Sequence, residues 1–197
     1  MKDRPAFKKG DFTESALASE SVFHGRLLHV KRDRVRLPDG KDSVREYVLH
    51  PGAVLIIAVT PAGELVLERQ FRYPLGRHFI ELPAGKIDPG EDPADTAKRE
   101  LAEETGYVAA RWRHIGVVHP CIGYSNERIE IFLAEDLAQN HSRLDHEEFL
   151  EVFTLPLETA LEWVRTGEIS DSKTVAGLFW AEKVLRGTWQ PPISPSL

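Results

Sequence analysis

Between Gly85 and Tyr107 the chain reads Gly-Lys-Ile-Asp-Pro-Gly-Glu-Asp-Pro-Ala-Asp-Thr-Ala-Lys-Arg-Glu-Leu-Ala-Glu-Glu-Thr-Gly-Tyr, and the spacing of its charges leaves few folds open. Asp92 is an N-cap residue, Pro93 suits a first helical position and Gly106 stands where a helix stops, so the spacing predicts a helix over 93–105. On that helix Glu100, Glu103 and Glu104 are related by i, i+3 and i+4 and share a sector about 100° wide. Like charges so placed repel by roughly a few tenths of a kcal/mol in water, and by more when partly buried. A hard divalent cation reverses the sign, because Mg²⁺ takes oxygen ligands from carboxylates and leaves positions for water and substrate phosphate. Ala94, Ala97 and Leu101 form the opposite, apolar face, suited to packing on a sheet. Gly85, Pro89 and Gly90 shape a tight loop ahead of the helix, which leaves the Ala84 carbonyl available to a cation and lets Glu91 fold back toward it. Arg99 stands four residues before Glu103, close enough to pair with it.

A chain of 197 residues is expected to form one compact domain. Its 25 Lys and Arg against 31 Asp and Glu give a net charge of −6, which weighs against non-specific nucleic-acid binding, since that runs on phosphate neutralisation by clustered Lys and Arg. A small phosphate ligand stays open, provided a bound cation or local basic groups receive it. Cys121 is the single cysteine, so no internal disulfide forms and a reducing, cytoplasmic setting is expected. The N-terminus lacks an apolar signal core. The longest apolar run, Ala53 to Val59, is far short of the ~20 residues of a membrane span. Zinc is not expected either, since the eight histidines and one cysteine contain no His-Glu-x-x-His or Cys-x-x-Cys spacing.

Along the chain, residues 1–20 are polar and read as a flexible arm. Residues 21–50 read as antiparallel strands, Val22-Phe23, Leu27–Val30, Val35–Leu37 and Val44–Val48, with a Pro38-Asp39-Gly40 turn. Residues 51–190 follow as the main domain. Ala53–Val59 is a continuous apolar strand, suited to burial on both faces. Further strands are expected at 65–71, 79–83, 112–118, 129–134 and 151–155, with a polar, acidic stretch over 135–148. Helices are expected at 157–166 and 172–186, and their aromatics Trp163, Phe179 and Trp180 belong in a core or a dimer contact. The order points to an α/β fold, with α/β/α layers around a mixed sheet.

The 85–107 segment resembles, at every fixed position, the pattern G-x5-E-x7-R-E-U-x-E-E-x-G-U of the Nudix hydrolases: Gly85, Glu91, Arg99, Glu100, Leu101, Glu103, Glu104, Gly106 and Tyr107. The resemblance implies an α/β/α sandwich that binds Mg²⁺, with Mn²⁺ as a possible substitute, and hydrolyses nucleoside diphosphates linked to another moiety. Carried over by position, Glu100 and Glu104 are metal ligands, with the Ala84 carbonyl and Glu103 assisting, and Arg99 and Glu91 orienting them. Metal ions neutralise the pyrophosphate while an activated water attacks one phosphorus. The resemblance leaves the general base open between Glu103 and the pair Glu147 and Glu148 on the loop after the box.

Outside the box, Glu81-Leu-Pro-Ala-Gly-Lys-Ile, Glu68-Arg-Gln-Phe-Arg-Tyr73, Gly123-Tyr-Ser-Asn-Glu127 and Gly167-Glu-Ile-Ser-Asp-Ser-Lys-Thr174 resemble the ADP-ribose pyrophosphatase branch. That resemblance implies a homodimer joined through the N-terminal strands. It places Arg45 and Glu46 near the nucleoside, Arg72 near phosphate or ribose and Glu127 near the terminal ribose. Ile122-Gly123 stands where relatives commonly carry Pro-Gly, a departure that bears on the substrate and not on the reaction. The expected activity is Mg²⁺-dependent cleavage of ADP-ribose or a related nucleoside diphosphate sugar to a nucleoside monophosphate and a sugar phosphate. GDP-mannose hydrolysis and a non-catalytic nucleotide-sensing module are the alternatives.

Overall fold

A computed structural model describes residues 10–139 and 149–189. By its internal contacts the chain forms two compact units, the first comprising the chain up to His50 together with 121–126, the second holding the remainder.

The first unit is a three-stranded antiparallel sheet in the order β1 (Ser15–His24), β2 (His29–Arg36) and β3 (Asp42–Leu49). β1 begins at Ser15, inside the polar stretch that reads as an arm. Backbone pairing explains this, because Ser15 to Glu20 match Arg36 to Arg32 and satisfy their amides whatever the side chains are. Gly40 takes a left-handed conformation in the Leu37–Lys41 turn between β2 and β3. Residues 121–126 pair with the end of β3, the Val48 amide donating to the Tyr124 carbonyl at 2.8 Å.

The second unit is built on β4 (Ala53–Ala58), every residue of which is buried. β4 lies in a mixed sheet of order β7 (Ala84–Lys86), β4, β9 (Ile129–Gln139) and β8 (Tyr107–Val118), antiparallel to β7 and parallel to β9. A second sheet has the order β10 (Leu150–Leu155), β5 (Leu65–Arg72) and β6 (Arg77–Glu81), all antiparallel. Side chains alternate across a strand, and β4 divides its residues accordingly. Leu55 and Ile57 join the core under α2 (Leu157–Thr166) and α3 (Ser172–Leu185), with Leu178 and Ala181. Val54, Ile56 and Ala58 join the core under α1 (Pro93–Glu100), with Ala94, Ala97 and Leu101. The apolar run thus becomes the middle layer of an α/β/α sandwich, each of its large side chains contributing about 1.5–3 kcal/mol on burial. No helix among the described residues is long and apolar enough to cross a membrane.

Several boundaries in this unit differ from expectation, β8 beginning at Tyr107 and not at Trp112 among them. Ala84–Lys86 is a short strand, because pairing with Leu55–Ala53 satisfies a backbone whose Gly and Ala side chains carry no strand signal. β9 continues to Gln139, into the acidic stretch, since β8 runs back alongside it to Tyr107. The predicted 93–105 helix is α-helical only to Glu100 and then widens into a π-type turn over Leu101–Thr105, ended by Gly106 at φ 70°.

Two contacts fix the helices to the sheets. Gly116 of β8 leaves room for Trp180 of α3, since a Cβ there would stand 1.7 Å from the indole Cζ3. At the N-terminus of α3, Asp171 caps the Thr174 amide, and the Thr174 hydroxyl accepts from the Leu82 amide at 3.0 Å. Beside it lies Glu81, 2% exposed, which receives two bonds from the Arg72 guanidinium, at 2.6 and 2.7 Å, and one from Lys173. Burial alone raises a carboxyl pKa, but the Arg72 and Lys173 contacts outweigh it and hold Glu81 below the ordinary carboxylate range.

Gly116→Val should displace Trp180 and cost about 1–3 kcal/mol. That lowers the melting temperature by roughly 2–4 °C per kcal/mol, with a shift in tryptophan emission; an unchanged melting curve would count against this packing. For Glu81, a depressed folded pKa adds stability that is full above the unfolded carboxyl pKa and is lost as pH falls through the folded value. In urea melts, Glu81→Gln should be less stable than the wild type by about 1–3 kcal/mol at pH 7. The gap should close from about pH 5 downward; a gap constant with pH would contradict the assignment.

Candidate active site

The acidic segment folds around one guanidinium. Asp92 caps α1 by accepting from the Ala94 amide at 2.8 Å, and Pro93 occupies the first turn. This sets Arg99 one face away from Ala94 and Ala97, toward the loop that precedes the helix. Its Nε and Nη2 grip Glu91 at 2.9 and 2.8 Å, and Nη1 donates to Glu100 at 2.9 Å and to Glu103 at 3.0 Å. Nη2 also reaches the Lys86 carbonyl at 3.5 Å. Glu91 accepts further from the Thr96 hydroxyl at 2.8 Å and the Asp88 amide at 3.3 Å. The Arg99 bonds, joined by these donors, depress the Glu91 pKa to about 2, and the Glu91 bond pushes Arg99 further above its ordinary value.

Along the helix end and its wide turn the three clustered glutamates make different contacts. Glu103 stays beside Arg99 and is partly exposed. Glu104 is 5% exposed and accepts from the Ala84 amide of β7 at 3.1 Å. Glu100 lies over β7, where the missing side chain of Gly85 admits it: a Cβ at residue 85 would stand 1.9 Å from the Glu100 carboxyl carbon. Wide turns of this kind recur at functional sites because they redirect side chains without breaking the helix.

Hard carboxylate oxygens on a segment whose glycine makes a cradle for one of them are the donor chemistry Mg²⁺ takes. Among the described residues, no three His, Cys, Asp or Glu side chains surround one point as metal ligands. The Arg99 fork instead distributes Glu91, Glu100 and Glu103 around itself.

The remaining sequence-predicted residues are placed as follows. Arg72 is paired with buried Glu81. Glu127 lies partly buried two residues before β9. In the first unit, Arg45 donates from Nε to Glu14 at 2.9 Å and Glu46 accepts from Arg32 at 2.9 Å. Glu147 and Glu148 lie outside the described residues. Sequence reasoning gave no role to three buried carboxylates, Glu68, Glu81 and Glu130, or to the Lys173 that contacts Glu81. The signal of the three acids was present, since each stands beside a large aliphatic residue in a strand, a position that is costly when buried unless partners meet it.

The segment also fits known proteins. Residues 49–177 match the NUDIX domain model, and residues 14–48 match the nucleoside diphosphate sugar hydrolase N-terminal domain. The chain is 44% identical to the ADP-ribose pyrophosphatase of Bacillus subtilis, over 82% of this chain and 88% of that protein. It is 40% identical to the methanol dehydrogenase activator of Bacillus methanolicus, over 83% of this chain and 90% of that one. A crystal structure of an ADP compounds hydrolase superposes with a TM-score of 0.80 at 25% identity, covering 89% of this chain and 95% of its own. With the box folded as a loop, a helix and a wide turn, and the family model spanning most of the chain, this protein belongs to the Nudix hydrolase family.

Proposed function

We propose that this protein hydrolyses the pyrophosphate bond of ADP-ribose or a related nucleoside diphosphate sugar, releasing a nucleoside monophosphate and a sugar phosphate. The observation that carries this reading is the Gly85 cradle with Glu100 inside it and Glu104 anchored on the Ala84 amide. The names of the Bacillus subtilis relative and of the structural neighbour narrow the substrate class.

In this reading Glu100 and Glu104 hold Mg²⁺, or Mn²⁺ in its place, with the Ala84 carbonyl and Glu103 assisting. The bound ion supplies charge neutralisation on the pyrophosphate and a more acidic water. Arg99 keeps the carboxylates oriented, with Glu91 as its fixed counter-charge, so that the donor set is held ready before substrate arrives. One carboxylate takes the proton of the attacking water as its oxygen bonds to phosphorus and the other phosphate leaves. Glu103 and the pair Glu147 and Glu148 are the candidates for that base. Arg72 and Glu127 meet the phosphate and ribose end, and Arg45 and Glu46 the nucleoside.

The substrate site is completed by a homodimer. Every residue of β1 is exposed, and Leu17, Val22, Phe23, Leu27, Leu28 and Val44 are all exposed large hydrophobics of the first unit. A second copy covering this surface would remove the solvation cost that it carries in a monomer. The single cysteine supports a cytoplasmic location.

Phosphate release after phosphatase treatment should follow incubation of ADP-ribose with Mg²⁺, and the same panel should include GDP-mannose, NADH and diadenosine polyphosphates. Tight binding with no turnover of any of them would identify a sensing module in place of an enzyme. Glu104→Gln should lower kcat by roughly 10³-fold while the far-ultraviolet spectrum is kept; near-normal turnover would remove Glu104 from the chemistry. Light scattering should give twice the chain mass, and Phe23→Glu combined with Leu17→Glu should give a monomer. A wild-type chain that is monomeric at micromolar concentration would refute the dimer.

A further inference from the structure

Glu130 of β9 is 4% exposed, and both carboxylate oxygens are engaged: His114 Nε2 lies 2.7 Å from one, and Arg128 Nη2 donates to the other. Val54 of β4 pairs with Gly85 on one side and with Glu130 on the other, so the three form one row across the mixed sheet. Val54 belongs to the core beneath α1, which fixes the face. Glu130 therefore stands on the same face as the Glu100 cradle, two strand spacings or about 10 Å away. Arg128 reaches back along that face. Its Cγ lies 3.8 Å from the position of a Cβ at Gly52, where the Ile87 Cδ1 of the box loop lies 3.2 Å away.

Burying a carboxylate here costs several kcal/mol in lost solvation, and Val54 and Phe132 beside it show that the face accepts apolar side chains. The arrangement is better explained by what it does to Arg128. The Arg128 side chain stays 57% exposed while its Nη2 is held by Glu130, so that four of its five N–H donors remain for another partner beside the box loop. A guanidinium that is oriented in advance is suited to bind a phosphate in two-point fashion.

We propose that Arg128 binds a phosphate oxygen of the substrate, and that Glu130, backed by His114, is a positioning residue that aims it. This rests on the pyrophosphatase reading above and deepens it. The test measures KM and kcat for ADP-ribose with Mg²⁺, and ADP-ribose affinity by calorimetry in the presence of a chelator. Arg128→Ala should raise KM about tenfold or more and leave kcat within a few-fold, the pattern of lost ground-state binding, with Arg128→Lys intermediate. Arg165→Ala, which removes only an exposed pair with Glu162 on α2, should change neither constant. Glu130→Gln should raise KM less than Arg128→Ala, and the double variant should be no worse than Arg128→Ala alone, because Glu130 acts through Arg128. Unchanged KM in Arg128→Ala, or a loss in kcat alone, would overturn the contact. Additive KM effects in the double variant would overturn the positioning role. If the wild type hydrolyses nothing, the pyrophosphatase reading fails by itself and the Arg128 contact is decided by calorimetry, where equal affinity of wild type and Arg128→Ala refutes it.

Discussion

The bond pattern of Arg99 organises the rest of the catalytic segment. One planar group with five N–H donors gathers Glu91 from the loop, and Glu100 and Glu103 from the helix and its wide turn. Without it, three carboxylates at this spacing repel, and Glu91 keeps the Thr96 hydroxyl as its side-chain tie to the helix. With it, the loop closes over β7, Glu91 stays ionised down to very low pH, and Glu100 is held where Gly85 makes room. The sheet is subordinate to this need in one respect. β7 is only three residues long, yet its pairing with β4 is what puts Gly85 and the Ala84 amide under Glu100 and Glu104.

The same device recurs where strands approach the box. Glu81 and Glu130 are both buried acids on strands, and each holds a partly exposed arginine with a second basic group behind it: Arg72 with Lys173, and Arg128 with His114. A buried ion pair contributes little net stability against an apolar replacement, so its retention is explained by orientation. In this protein the oriented groups are cations on a net-acidic chain. That reconciles a formal charge of −6 with a phosphate-bearing substrate: the overall charge repels nucleic acid, whereas local guanidinium groups are each pinned by a buried acid.

Much of the second unit was legible in sequence because its signals are local. The β4 run, the Asp92-Pro93 helix start, the Gly106 stop and both C-terminal helices are consequences of propensity and periodicity over a few residues. Ala84–Lys86 and Ser15–Glu20 were not legible as strands. Their pairing partners, Ala53–Leu55 and Arg32–Arg36, supply the hydrogen bonds, and nothing in their own side chains announces it. The wide turn at 101–105 escaped for a similar reason, since an ideal helix and a widened one share the same residue pattern.

The sequence by itself determined the family, the helix that carries the glutamates and the identity of the four box acids, because a 23-residue pattern of fixed glycines, arginine and glutamates encodes one loop and one helix face. Tertiary structure alone decided which contacts each acid makes. Glu91 became the counter-charge of Arg99, Glu104 was buried against a strand amide, and Glu103 was left partly exposed. It also decided that Glu130 would share a face with the Glu100 cradle although 30 positions separate it from Glu100 in the chain. Such pairings depend on strand register across a sheet, which is fixed by long-range hydrogen bonds and burial and leaves no periodic trace in the chain.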